Sequence, residues 1–341
     1  MMNIVKRAKT KLWDRLSPHG LILMYHRVAE PELDPWGLSV SPRHFAEQLE
    51  VINRYFHPLS MQELLKRLQA GRVPNRFVVV TFDDGYVDNL HAASPLLQRF
   101  HVPATVFLIA ESLGAERNFW WDELEWVLLH PETLPDRLEL DGAGNHWEWD
   151  LGEATGYSPE DRQGDRNRRP WDALAGTRLA FFYSVWRQLR ELPGPARLQA
   201  LDAIGVWSGA GKDCRPDARA LTPEEVNRLD RSGVVELGSH TLTHPSLILL
   251  SAEQQMGEIH GSKIQVEEII GRPITSFSYP HGDYSLETAA LVQKAGFSSA
   301  CTTEASGVLS TTDPFLLPRF QVDNWDGEEF LRHLARWYAF A

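Results

Sequence analysis

An α/β barrel of parallel strands, interrupted by a tryptophan-rich insertion, is the fold predicted by this 341-residue sequence. Three observations carry the prediction. Apolar β-branched runs alternate with amphipathic ones, as in Phe77–Phe82, then 92–100, then 104–109, an order that favours a parallel barrel over a sandwich. Three of the apolar runs stop abruptly in polar chemistry: Asp83-Asp84, His240 with His244, and Tyr279-Pro280-His281-Gly282. A barrel of parallel strands gathers the residues at its strands' carboxyl ends around one mouth. The rhythm fails between about 115 and 210, where eight of the twelve tryptophans fall, so that segment reads as an insertion.

Taken in order, residues 1–16 are basic at Lys6, Arg7, Lys9 and Lys11 but lack the uninterrupted apolar core of a secretion signal. No later stretch is long enough to span a bilayer. The expected location is therefore cytoplasmic. Ile4, Val5, Ala8, Leu12, Trp13 and Leu16 share one helical face opposite the lysines, which fits either packing against the domain or peripheral contact with an anionic membrane. The domain itself is expected over 17–341.

Ser41-Pro42 opens an amphipathic run through Phe45, Leu49 and Ile52, with Ser as cap and Pro at the first helical position. Thr222-Pro223-Glu224-Glu225 and Ser251-Ala252-Glu253-Gln254 have the form of capping boxes. Phe77–Phe82 is continuously apolar and β-branched, as for a strand buried on both faces. Two adjacent carboxylates follow it. Such a pair repels unless a cation or donors compensate; a bound metal would do so, and an Asp-Gly turn capping the next helix is the other reading. His240 and His244, four residues apart, face the same way on one helical turn and suit zinc or another divalent first-row ion once a further ligand is supplied. Thr241 and Thr243 are expected to fix a ring tautomer. In ITSFSYPHGDY, Pro and Gly end the strand and bend the backbone, making the His281 amide a candidate oxyanion donor.

Within the insertion, Phe119, Trp120, Leu124 and Val127 predict one helix, and Phe181, Tyr183, Trp186 and Leu189 a second. Most of its tryptophans are expected in the insertion's own core, with a carbohydrate lid as the alternative. The polar run 158–169 reads as a loop. A formal net charge of −12 and a pI of about 5.5 argue against nucleic acid as a partner. Cys214 and Cys301 supply neither a disulfide framework nor a cysteine metal site.

On TFDDGY, HTLTH and, in part, SYPHG, the chain resembles the polysaccharide deacetylase family, the carbohydrate esterases with a NodB homology domain, over roughly 17–114 and 211–341. The opening LILMYHRV resembles the branch acting on poly-N-acetylglucosamine. The resemblance implies a distorted (β/α)7-type barrel and a hydrolase that removes N-acetyl groups from an N-acetylated sugar or polysaccharide precursor. It also implies Asp83 as general base, with Asp84, His240 and His244 holding one divalent metal, zinc first, with cobalt, nickel or iron as alternatives. Tyr279, Pro280 and Trp325 fall in motif segments expected to contact substrate.

Two histidines compete to protonate the departing amine. His26, in MYHRV, would stand at the barrel mouth and is preferred; His333, in FLRHLAR, matches a C-terminal family pattern but shares an amphipathic helix with Phe330, Leu331, Leu334 and Trp337. Where many members carry an arginine that pairs with the catalytic aspartate, this chain has Ser278, and Arg319 is the expected substitute. Two other readings stand beside the N-deacetylase: a non-haem iron centre built on the same two histidines and carboxylate, and a catalytically silent carbohydrate-binding protein. An O-deacetylase on the same fold is a further variant. Neither the sugar nor the oligomeric state follows from the sequence.

Overall fold

The computed structural model describes residues 20–142, 144–166, 168–210 and 215–340. The amphipathic reading of 1–16 and Cys214 lie outside them. By internal contacts the described residues form two compact units, one within 20–30, 39–113 and 221–340, the other within 31–38 and 114–220.

In the first unit, eight parallel strands make one sheet: β1 (Gly20–Tyr25), β2 (His57–Pro58), β3 (Phe77–Phe82), β4 (Ala104–Leu108), β5 (Val235–Ser239), β6 (Ser276–Ser278), β7 (Ser299–Cys301) and β8 (Phe320–Gln321). The order is β7-β6-β5-β4-β3-β1-β8, with β2 beside β3. It is the curled parallel sheet of the distorted (β/α)7 barrel class. A parallel bridge between Cys301 and Leu317 and an antiparallel one between Gly20 and Val308 link the chain between β7 and β8 back to the sheet. Every residue of β1, β3 and β4 is buried, as expected for strands covered on both faces.

The helices begin where the caps predict. Ser41 caps Pro42–Tyr55, and capping boxes at Thr222 and Ser251 start Pro223–Asp230 and Ala252–Ile270. Leu23, Val80, Val106, Leu237 and Phe277 join the inner faces of these helices in one core. Among the described residues, no helix is long and apolar enough to cross a membrane.

The second unit holds the hairpin Arg137–Gly142 with Asn145–Asp150 and the helices Trp120–Leu129, Arg178–Glu191 and Gly194–Ser208. Trp120 and Trp121 are buried, and Trp36 packs on Trp186 with ring centroids 4.6 Å apart. The short segment 31–38, which nothing in its composition marks, joins this unit through that contact. Trp171 stays 56% exposed. The polar run is not a loop throughout: Ser158 and Asp161 form a capping box, Pro159 occupies the first turn, and Pro159–Asp165 is helical. Polarity misled here because a short helix can be held by its cap with little apolar surface.

Candidate metal centre

Because all eight strands run parallel, the residues that follow β1, β3, β5 and β6 emerge at one end of the sheet. Asp83 continues β3 with its N–H donating to the Tyr25 carbonyl at 3.0 Å, and His240 continues β5 with its N–H on the Leu108 carbonyl at 2.8 Å. Asp84, His240 and His244 are buried, and one donor atom of each lies within 4.8 Å of the others. The Asp84 Oδ1 is 3.6 Å from His240 Nε2 and 3.8 Å from His244 Nε2.

The local backbone is strained to achieve this. Six non-glycine residues among the described ones have positive φ, and four stand at these strand tips: Asp84 at 73°, Thr241 at 68°, His244 at 57° and His281 at 58°. Asp and His enter the left-handed region with modest difficulty, but Thr is β-branched and does not. Each such residue costs about 1–3 kcal/mol, and clusters of them mark functional sites. Gly85, at φ 81°, turns the chain after the aspartates; a Cβ there would lie 2.6 Å from Leu108.

The ring of His240 is fixed by a carbonyl, not by a threonine. Its Nδ1 is 2.8 Å from the Ser278 oxygen, which places the proton on Nδ1 and turns Nε2 toward Asp84. Thr241 instead donates to the His240 carbonyl at 2.5 Å and accepts from the His244 N–H at 3.0 Å, while Thr243 donates to Glu258 at 2.8 Å. Both threonines therefore shape the loop, and the expectation that they orient a ring is corrected. Burial lowers His240 from its ordinary value despite the opposing pull of Asp83, leaving the neutral imidazole that ligates metals.

Asp83 is held differently from Asp84. Arg319, fully buried, donates from Nη1 to Oδ1 at 2.8 Å and from Nη2 to Oδ2 at 2.7 Å. The same guanidinium reaches Ser278 Oγ at 2.8 Å, Thr81 Oγ1 at 3.1 Å and, through Nε, the Thr302 carbonyl at 2.9 Å. Burial alone would raise the Asp83 carboxyl, but Arg319 and His240 outweigh it and hold Asp83 well below the usual carboxylate range. Ser278 also donates to Asp83, from Oγ to Oδ2 at 3.3 Å.

The other expected residues separate into those at this mouth and those that pack. His26 is half-buried and lies in the field of Asp83, Arg319 and His240; burial pushes its ring down to about 4. The His281 ring meets that of His244 edge to face, centroids 4.5 Å apart. His333 lies flat on Trp325, centroids 3.7 Å apart, and beside Trp337. It packs, and it covers one face of the indole expected to meet substrate. Tyr279 is fully buried, its hydroxyl donating to the Phe315 carbonyl at 3.0 Å; its side chain offers substrate no surface, contrary to expectation, because the aromatic was needed in the core. Pro280 is likewise buried in the turn.

Two residues that the sequence reading passed over hold the segment 26–28 that follows β1. Asp88 accepts from Arg27 Nε and the Val28 N–H, both at 2.9 Å, and Asn89 donates to the His26 carbonyl at 2.8 Å. The only sequence signal was a third acid soon after the aspartate pair.

The sequence profile of polysaccharide deacetylases matches residues 70–138 and 202–300. The chain belongs to the polysaccharide deacetylase family. The unmatched interval between those stretches lies inside the second compact unit. Relatives named poly-beta-1,6-N-acetyl-D-glucosamine N-deacetylase include one from Staphylococcus epidermidis, 32% identical over 145 residues, and one from Staphylococcus aureus, 29% identical over 113. These alignments cover 39% and 29% of this deacetylase-family chain, and 46% and 39% of the relatives. The chain thus spans less than half the length of these curated relatives. IcaB from Ammonifex degensii shares the fold at a TM-score of 0.57 and 17% identity, covering 94% of this chain and 97% of that one. The Streptococcus pyogenes deacetylase PplD does so at 0.55 and 18%, covering 92% and 97%.

Proposed function

We propose that this protein is a metal-dependent N-deacetylase acting on an N-acetylated amino sugar, free in a polysaccharide or carried as its precursor. One observation carries the reading: three donor atoms suited to a divalent ion converge within 4.8 Å beside a second carboxylate kept ionised by its own arginine. The donor set fits the group. Four-coordinate zinc with bonds of about 2.0–2.2 Å separates its ligand atoms by roughly 3.3–3.6 Å, close to the 3.6 and 3.8 Å found here. Asp84, His240 and His244 would hold the ion, leaving positions open for small molecules. A divalent ion so held polarises an acetamide carbonyl and acidifies water.

The protein's own residues account for the proton movements. Asp83, ionised throughout the physiological range, accepts the proton of the attacking water at a carboxylate oxygen. His26 is neutral in the free protein, yet its ring holds a proton more firmly than Asp83 does. An amine, with an ordinary value of about 8, holds it more firmly still. A proton taken at Asp83 can therefore move downhill through His26 to the leaving nitrogen. The His281 amide, on the Pro280–Gly282 turn, is the proposed donor to the tetrahedral oxyanion. The names of the Staphylococcus relatives support a glucosamine-type substrate. The reading is tested by metal analysis of the purified protein followed by acetate release from N-acetylglucosamine oligomers; cleavage of acetylxylan with no release from N-acetylated sugars would refute the amide assignment.

A further inference from the structure

We propose that Glu258, a residue of the barrel helix Ala252–Ile270 outside all of the family motif segments quoted above, is a positioning residue that sets the spacing of His240 and His244; the inference rests on reading those histidines as metal ligands. One carboxylate oxygen of Glu258 accepts the N–H groups of Leu242 and Thr243 at 3.0 and 2.9 Å, and the other accepts the Thr243 hydroxyl at 2.8 Å. These peptides lie strictly between the two histidines. The opposite edge of the same segment is held by backbone: Ala110 and Glu111 donate to the Thr241 and Leu242 carbonyls, each at 3.0 Å. Leu242 also packs over Gly261, one turn along the helix, where a Cβ would come within 2.7 Å of its Cδ1.

The reason such a clamp is required lies in the backbone. Thr241 and His244 both occupy the left-handed region, which Thr adopts only when its surroundings impose it. Two amides pointing at one carboxylate supply that imposition, since charge-assisted bonds are the strong ones. Freed of Glu258, the segment relaxes toward ordinary φ values, and a change at Thr241 swings His244 relative to His240. The carboxylate thus acts on the ligands through two peptide planes without touching either ring.

Metal-free protein is titrated with zinc against a chromophoric chelator, and residue-resolved amide exchange is followed on the same samples. Glu258→Ala is expected to weaken zinc binding about 10–100-fold, the range seen when groups supporting metal ligands are removed. Glu258→Gln, which keeps an oxygen for the two amides, is expected to fall between, and Glu268→Ala on the exposed face of the same helix to bind as the parent does. The Leu242 and Thr243 amides should lose protection in Glu258→Ala while the helix keeps its own. Parent-like zinc affinity in Glu258→Ala, with His240→Ala unable to bind, overturns the role of Glu258 alone. Parent-like binding by His240→Ala overturns the metal-site reading itself. If Glu258→Ala does not fold, Glu258→Gln and Thr243→Val decide: undiminished affinity in both rejects the proposal.

Discussion

Replacing Arg319 by Met isolates the pair on which the ionisation of Asp83 depends. Met roughly preserves the volume of the arginine stem but removes both hydrogen bonds to Asp83 and those to Thr81, Ser278 and Thr302. Breaking a buried ion pair by deleting one partner costs about 3–5 kcal/mol, because the remaining charge has no compensation. The cost depends on pH. In the parent protein the Asp83 carboxyl lies below its unfolded value, so its contribution is present above about pH 4 and is lost as pH falls toward the folded value. In the variant, desolvation acts unopposed by Arg319 and the folded value rises above the unfolded one. The folded variant then binds more protons than the unfolded chain, so its stability falls as pH rises. Urea unfolding of metal-stripped parent and Arg319→Met, followed at pH 4.5 and pH 8, should show a gap of about 3–5 kcal/mol at pH 8 that narrows markedly at pH 4.5. A gap of equal size at both values would refute the claim that Arg319 serves as the counterion of Asp83. Arg319→Lys, which keeps the charge but not the two-pronged geometry, should fall between.

Other expectations follow from the same geometry. Asp83→Asn should retain the metal, measured by elemental analysis, while acetate release falls by about 10²–10⁴-fold, the usual weight of a general base; loss of metal in that variant would make Asp83 a ligand. His240→Ala and Asp84→Asn should each lose the metal, and acetate release with it. His26→Ala should slow acetate release by about 10²-fold or more, whereas His333→Ala, acting on a ring stacked on Trp325, should leave turnover nearly unchanged and lower the melting temperature; the reverse ranking would make His333 the acid. His26 is depressed to about 4 in the fold, so parent stability should decline as pH drops from about 6.5 toward 4, and His26→Gln should flatten that decline in thermal melts at graded pH.

The core strands were legible because burial on both faces leaves an unbroken apolar signature, and Phe77–Phe82 carries it without interruption. Helix starts were legible because a cap is a local bond: Ser41, Thr222 and Ser251 each accept from the backbone three residues on. Tyr279 shows where such reasoning stops. Its place in a motif-bearing turn pointed to the cleft, yet side chains alternate in direction along a strand, and this one continued inward.

By itself the sequence determined which groups could take part, since apolar runs that end in acids and imidazoles put those groups at strand exits in any parallel barrel. Only the tertiary structure decided how they are paired. Arg319 lies 236 residues from Asp83 along the chain, and Ser278 orients His240 with a carbonyl that every residue possesses. Pattern and propensity act over a few residues, whereas ion pairs, ring tautomers and the clamp on the histidine loop depend on which distant strands and helices become neighbours.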